Sequence, residues 1–310
     1  MKLTPEQLDR ACGAVLGSAV GDALGAAYEF GSATVGPEGP QMLGGGLGGF
    51  APGEWTDDTT MAWCILDVAA AGVDLRSEEG LTEIARRFRD WYDSDPPDIG
   101  NQTRLVLGAA APTGAALTAA AYDLHVRTGH TAGNGSLMRA APVALPLLED
   151  PLAVAEAARL VGALTHYDPR AQEACVLWSL AIRHAILHAA LDVRAGLAYL
   201  SAEASAYWTE RLDEAESSSP GRFRPNGWVV TALQAAWSSI THGEGLVDTL
   251  AIAIGIGDDT DTVAAIAGGL HGARWGASAV PAEWRGMLHG YPGITGERLV
   301  GLAEQALPLR

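Results

Sequence analysis

Cysteine, positive charge and long uninterrupted apolar runs are all in short supply in this chain of 310 residues. Only three cysteines occur, Cys12, Cys64 and Cys175. They are odd in number, far apart and not in CxxC pairs, which argues against a disulfide framework or a structural zinc site and fits a reducing compartment. Lys and Arg together number 20 against 37 Asp and Glu, a formal net charge of -17. So acidic a surface repels phosphate backbones and anionic lipid, so bulk attraction to nucleic acid or to a membrane is not expected. A small-molecule nucleotide is not excluded, because a local site can override the global field. No apolar run reaches the roughly 18 residues of a membrane span without a polar interruption. The opening MKLTPEQLDR lacks the basic and apolar regions of a signal peptide, and the expectation is a cytoplasmic, monomeric protein. Strand signals are also sparse: period-two alternation persists nowhere over a convincing length.

Apolar residues make up 48% and charged residues 18%, a globular profile able to bury a large core. Thr4-Pro5-Glu6-Gln7 reads as a helix start, with Thr4 as N-cap, Pro5 at the first helical position and Gln7 completing a capping box. In the helix that follows, Gly13, Gly17, Gly21 and Gly25 recur every four residues. That spacing makes one smooth stripe against which another backbone can pack closely. Asp22 and the short apolar length oppose the alternative of a membrane GxxxG helix. Residues 31–53, rich in Gly and Pro, and 93–103 read as loops. Helical patterns cover about 59–72, 80–92, 104–123, 136–147, 152–164, 170–190, 193–213, 227–241, 245–254 and 262–276, with 214–226 an exposed connector. There is no tandem repeat and no linker, so the expectation is one all-α domain over 1–310.

Two similar clusters carry the strongest local signal. Trp55-Thr56-Asp57-Asp58-Thr59-Thr60 and Gly257-Asp258-Asp259-Thr260-Asp261-Thr262 each precede an Ala-rich apolar helix. Consecutive residues turn by about 100° on a helix and cannot share a face. They can converge where the chain just enters a helix, and there the free N–H groups favour negative charge. Each cluster alone reads equally well as an N-cap, but one cap needs one such residue. If the two segments meet, close carboxylate pairs repel by about 4 kcal/mol at an effective dielectric near 20. Divalent cations would relieve that repulsion, and all-oxygen donors suit Mg²⁺, Mn²⁺ or Ca²⁺ rather than zinc.

Other segments are weaker taken singly. Asp22 and Glu29 set two carboxylates beside the glycine stripe, either at a plain helix end or aimed into a cleft. Gly133-Asn134-Gly135-Ser136 is a tight turn entering a helix, which can cradle a phosphate. His166 follows Thr165 and is either a core histidine or a ligand contact, while His184 and His188 read as structural.

Taken together, these residues resemble the ADP-ribosylglycohydrolase family. The resemblance runs in family order through GxxxGDALGAAYEF (17–30), GEWTDDTTMA (53–62), PPDIGNQTR (96–104), GNGSLMRAAPVA (133–144), THYDPRA (165–171), NGWVVTALQAAW (226–237) and GDDTDTVAAIAGGLHGARWG (257–276). It implies a compact orthogonal bundle of helices and two divalent cations, Mg²⁺ or Mn²⁺. Thr56, Asp57 and Asp58 would hold them on one side, and Asp259, Asp261 and Thr262 on the other. Glu29 and Asp98 become candidates for proton transfer. Asn101, the Gly133, Asn134, Gly135 and Ser136 turn, His166 and Trp228 become candidates for binding substrate. The implied activity is hydrolysis of the bond between ADP-ribose and an acceptor, with ADP-ribosylated protein as partner. Two positions depart from common family patterns: Asp258, which tilts the expected acceptor toward arginine rather than serine, and Trp228, which replaces a frequent Tyr. Rival readings are a non-catalytic ADP-ribose-binding or structural relative and a two-metal hydrolase of phosphate esters.

Overall fold

The chain enters its first helix, α1 (Pro5–Gly25), through the capping box expected from the sequence: Thr4 accepts from the Gln7 N–H and the Gln7 side chain from the Thr4 N–H. From Ala11 to Gly25 every residue of α1 is buried, whichever way it faces. A helix that is apolar all round belongs in the middle of a protein. With its 3₁₀ continuation to Gly31, α1 is long and apolar enough by composition to cross a membrane, yet here it is enclosed by the other helices. The coordinates are a computed structural model describing residues 2–308.

Twelve further α-helices follow among the described residues: α2 (Asp57–Ala70), α3 (Glu78–Asp93), α4 (Asn101–Ala109), α5 (Gly114–Thr128), α6 (Pro151–Ala163), α7 (Pro169–His188), α8 (Ala202–Ser217), α9 (Val229–His242), α10 (Gly245–Ile256), α11 (Thr260–Trp275), α12 (Ala282–Met287) and α13 (Gly296–Ala306). Between the last two, His289–Gly290 and Ile294–Thr295 pair as a small antiparallel hairpin, β1 and β2. The fold is the expected all-α architecture, and its buried apolar side chains form one contiguous cluster.

The centre of the fold is the pairing of α1 with α11. The glycine stripe of α1 meets a second stripe on α11. A Cβ added at Gly21 would lie 2.1 Å from the carbonyl oxygen of Ala264, and one at Gly17 would lie 2.4 Å from that of Gly268. Nothing larger than hydrogen fits, so the two backbones touch along several turns. At Gly25 the added atom would lie 2.5 Å from the Cα of Asp261. The stripe therefore sets how close the acidic entrance of α11 comes to the end of α1.

Three expected helices differ. Residues 136–147 form turns and short 3₁₀ segments, because Pro142 and Pro146 each remove a backbone donor there. The pattern at 193–213 splits into a 3₁₀ segment at Arg194–Tyr199 and α8, which begins anew at its own cap, Ser201, and runs into the expected connector as far as Ser217. The pattern at 104–123 divides at Pro112 into α4 and α5.

Candidate metal centre and ligand cleft

Both acidic clusters sit where a loop enters a helix. Thr56 is the N-cap of α2, with Asp57 and Asp58 in the first turn. Asp259 is the N-cap of α11, with Asp261 in the first turn. The two helix entrances face one another: Thr262 Oγ1 lies 3.5 Å from Asp58 Oδ2.

Asp22, the one charged residue in the buried stretch of α1 from Ala11 to Gly25, organises the first entrance. Its carboxylate is wholly buried. It accepts from Thr56 N–H at 3.0 Å, Thr56 Oγ1 at 2.9 Å and Thr59 N–H at 2.9 Å. Thr56 Oγ1 also lies 3.3 Å from Asp58 Oδ2. Asn226 organises the second entrance. Its Oδ1 accepts from Asp259 N–H at 3.0 Å, its amide donates to Gly257 O at 3.0 Å, and its carbonyl accepts from Asn134 Nδ2. The same Asn134 amide donates to Asp259 Oδ2 at 2.7 Å. Asp258 turns away: its backbone adopts φ +62° and its carboxylate pairs with Arg224.

Carboxylate oxygens converge in two groups. Asp22, Asp58 and Asp261 form one, and Glu29, Asp259 and Asp261 form the other, each with candidate ligand atoms within 4.8 Å of one another. Asp261 belongs to both. Burial first, then the surrounding carboxylates, pushes the Glu29 carboxyl up to about 9 and that of Asp57 up to about 7. Asp58 and Asp261 are driven well above the ordinary carboxylate range for the same reasons. Asp58 Oδ1 is buried without a hydrogen-bond partner. Oxygen donors only, an orphaned carboxylate oxygen and crowding that costs several kcal/mol for each close charged pair all fit divalent cations of the Mg²⁺, Mn²⁺ or Ca²⁺ type.

Above these carboxylates opens a cleft of about 360 Å³. Glu29, Asp57, Asp98, Asp259, Asp261 and Thr262 line its acidic side. Asn101, Gly133, Asn134, Gly135 and His166 also line the cleft, and no Lys or Arg does among the described residues. His166 packs against the glycine turn: a Cβ added at Gly135 would lie 2.9 Å from its Cε1. Thr165 Oγ1 holds its Nδ1 at 2.8 Å. Burial, and then the Arg139 charge, keeps the imidazole far below its usual pKa, so the ring is neutral. Arg139 is itself buried and fixes this wall by donating to Gly135 O at 3.0 Å and Thr165 Oγ1 at 2.8 Å.

Of the residues singled out by sequence, Thr56, Asp58 and Ser136 are buried and do not line this cleft. Trp228 is 46% exposed and caps α9. Its backbone bridges to Gly133, but its side chain does not line the cleft. Glu29, expected to move protons, also falls in a carboxylate group that could hold a cation. Sequence reasoning left Asp22 out of the ligand set and gave Asn226, the first residue of the 226–237 motif, no role of its own. The signal for Asp22 was its isolation in an apolar helix; Asn226 carried none, since a lone Asn in a Pro- and Ser-rich connector is ordinary turn material.

A helical protein with buried carboxylates that could hold cations beneath a cleft of this size defines the class. The comparisons narrow it: residues 3–310 match the family model of ADP-ribosylglycohydrolase. The chain is 34% identical over 286 residues to ADP-ribosylarginine hydrolase Tri1 of Pseudomonas putida (strain GB-1), covering 91% of this chain and 75% of that one. It is 31% identical over 294 residues to ADP-ribosyl-[dinitrogen reductase] glycohydrolase of Rhodospirillum rubrum, covering 92% of each. A solved structure described as an ADP-ribosylglycohydrolase-related protein complex superposes with a TM-score of 0.72 at 28% identity, covering 98% of both chains. The chain belongs to the ADP-ribosylglycohydrolase family and is a hydrolase.

Proposed function

We propose that this protein cleaves the N-glycosidic bond between ADP-ribose and an arginine side chain of a modified protein, using two Mg²⁺ or Mn²⁺ ions. The observation that carries the reading is Asp261, shared by two carboxylate groups on the floor of the cleft. Asp22, Asp58 and Asp261 would hold one cation, and Glu29, Asp259 and Asp261 the other, with Thr56, Asp57 and Thr262 beside them. When bound, the cations would orient the ribose hydroxyls and lower the pKa of a water at the site. The arginine acceptor is favoured because Tri1 of P. putida is an ADP-ribosylarginine hydrolase.

The chain's own groups divide the remaining work. The Gly133–Ser136 turn and the neutral His166 carry no carboxylate and offer the diphosphate a place to lie, with Asn134 bridging to the acidic group through Asp259. Asn101, at the start of α4, lines the cleft and can offer its amide to the substrate. Asp98 lies outside both cation groups, and burial raises its pKa. It is the carboxyl placed to move a proton. The bond from the anomeric carbon to the guanidino nitrogen breaks with its electron pair going to nitrogen, which takes up a proton. Water supplies hydroxide to the carbon, and its second proton returns to the carboxylate. The positive charge developing on the sugar is stabilised by the surrounding aspartates. The three cysteines are buried and unpaired, in keeping with a reducing, cytoplasmic setting.

Incubating the protein with a peptide ADP-ribosylated on arginine should release ADP-ribose, and a chelator should stop the release. Asp57→Ala and Asp261→Ala should lose turnover while the far-UV circular dichroism stays helical; near-wild-type turnover in both would reject the site. Liberation of inorganic phosphate would favour a phosphoesterase. ADP-ribose binding without turnover on any acceptor would favour a non-catalytic binding protein.

A further inference from the structure

A second cavity, of about 460 Å³, shares Asp57 and Asp98 with the first and so abuts it at the carboxyl assigned to proton transfer. Two surface features of the fold build it: the 94–98 loop after α3, and the β1–β2 hairpin. The apolar part of its lining comes from Phe50, Trp91, Pro96, Pro97 and Tyr291, while Glu54 and Asp95 add two further carboxylates. No Lys or Arg lines it among the described residues. Its one basic ring, His289, has Nδ1 turned to Met287 O at 2.9 Å. Glu54 is held in place by the Ala51 N–H at 2.8 Å.

We propose that this second cavity is the acceptor subsite, and that it selects the guanidinium of the modified arginine. The proposal rests on the reading of the first cleft as the ADP-ribose site. With ADP-ribose there, a bond being cut beside Asp98 projects its other half through the Asp57–Asp98 boundary into this space. A substituted guanidinium is planar and still cationic. Its faces stack on aromatic and proline surfaces and its edge N–H groups meet carboxylates, so the lining matches it in shape and sign. A serine or other neutral acceptor offers neither charge nor plane. The hairpin and the loop thus act as a specificity element outside the cation centre.

Two surface variants test this without touching the catalytic groups. Asp95→Asn suits the left-handed backbone at φ +56° and removes one charge. Thr295→Lys places a cation at the exposed rim. On an ADP-ribosylarginine peptide, the KM should rise about threefold for D95N and tenfold or more for T295K, with kcat little changed. On an ADP-ribosylserine peptide, kcat/KM should stay within about twofold, and the affinity for free ADP-ribose should not move. Titration of N-acetylarginine amide into the ADP-ribose-bound protein should show saturable binding in the wild type that T295K weakens at least tenfold. This binding measurement separates the two readings. If the wild type turned over no substrate yet bound the arginine probe in the T295K-sensitive manner, the enzymatic assignment would fail and the subsite would stand. Equal losses on both peptides, or an arginine probe indifferent to both variants, would overturn the subsite.

Discussion

The two acidic clusters look alike on paper and are supported in opposite ways. At the entrance of α2, Asp57 and Asp58 are both buried, and the segment is anchored from below by an ionisable group, Asp22, which takes two backbone N–H groups and a hydroxyl. At the entrance of α11, the three aspartates part company. Asp258 swings out to Arg224, Asp259 is held from the side by the amides of Asn134 and Asn226, and Asp261 points into the centre. A run of adjacent aspartates is therefore not a run of equivalent ligands. Which one reaches the centre depends on where the helix starts and on what receives the others.

The sharpest way to break the comparison is to neutralise matched members of each cluster. Asp58→Asn and Asp261→Asn remove buried donors of the cation groups. Each should lower turnover on the order of 10³-fold, about 4 kcal/mol of transition-state stabilisation, with weaker cation binding by calorimetry. Asp258→Asn should stay within about twofold in the same assay. Equal losses at Asp258 and Asp261 would erase the distinction.

How much of this the sequence disclosed follows the range of the interactions. Helix entrances and the glycine stripe are local patterns, and the acidic clusters, the stripe and the capping box could all be read directly. The resemblance to the family supplied the order in which the segments meet. Asp22 could not be placed from local pattern, because its partners lie 34 and 37 positions away and nothing in the surrounding helix predicts a threonine N–H opposite it. Asn226 reaches Asp259 over 33 positions from within a connector. The 136–147 stretch misled because its apolar spacing is helical, whereas its two prolines and its burial favour turns. The β1–β2 hairpin is only two residues a side, too short for alternation to register.

The next largest effect moves one cluster relative to the other. Gly21→Ala sets a methyl 2.1 Å from the Ala264 carbonyl, so α1 and α11 must separate. Overpacking of this kind costs about 3 kcal/mol, which denaturant unfolding would measure. Since α1 carries Asp22 and α11 carries Asp261, cation affinity should fall along with stability. A variant that lost stability and kept its cation affinity would show that the centre tolerates the spacing.

Asn226→Ala probes the lateral support of the second cluster alone. It leaves the Asp259 N–H and the Gly257 carbonyl without their side-chain partner. An abandoned buried polar group costs about 1–3 kcal/mol, so a fall of about 2 kcal/mol is expected. Loss of a group orienting a metal ligand lowers activity about 10–100-fold. Asp22, by contrast, supports the first cluster and also belongs to a carboxylate group that could hold a cation. Asp22→Asn should therefore resemble Asp58→Asn in turnover rather than Asn226→Ala.

The smallest effect is expected at Arg224. Its guanidinium meets the Asp258 carboxylate at 3.1 and 2.5 Å, but half of its side chain is in solvent. Ion pairs so exposed contribute little, because water screens them and two long side chains must be held in place. The geometry of Asp258 does not depend on the pair alone: its carbonyl also accepts from the Phe30 N–H at 2.7 Å, tying the α11 entrance to the segment that carries Glu29. Arg224→Ala should therefore leave the unfolding midpoint and the turnover near wild type. Its difference from wild type should shrink further in 1 M salt, where exposed charges are screened within about 3 Å. A large, salt-insensitive loss of turnover would mean that Arg224 holds Asp258 for the chemistry, and the two clusters would then both be working along their full length.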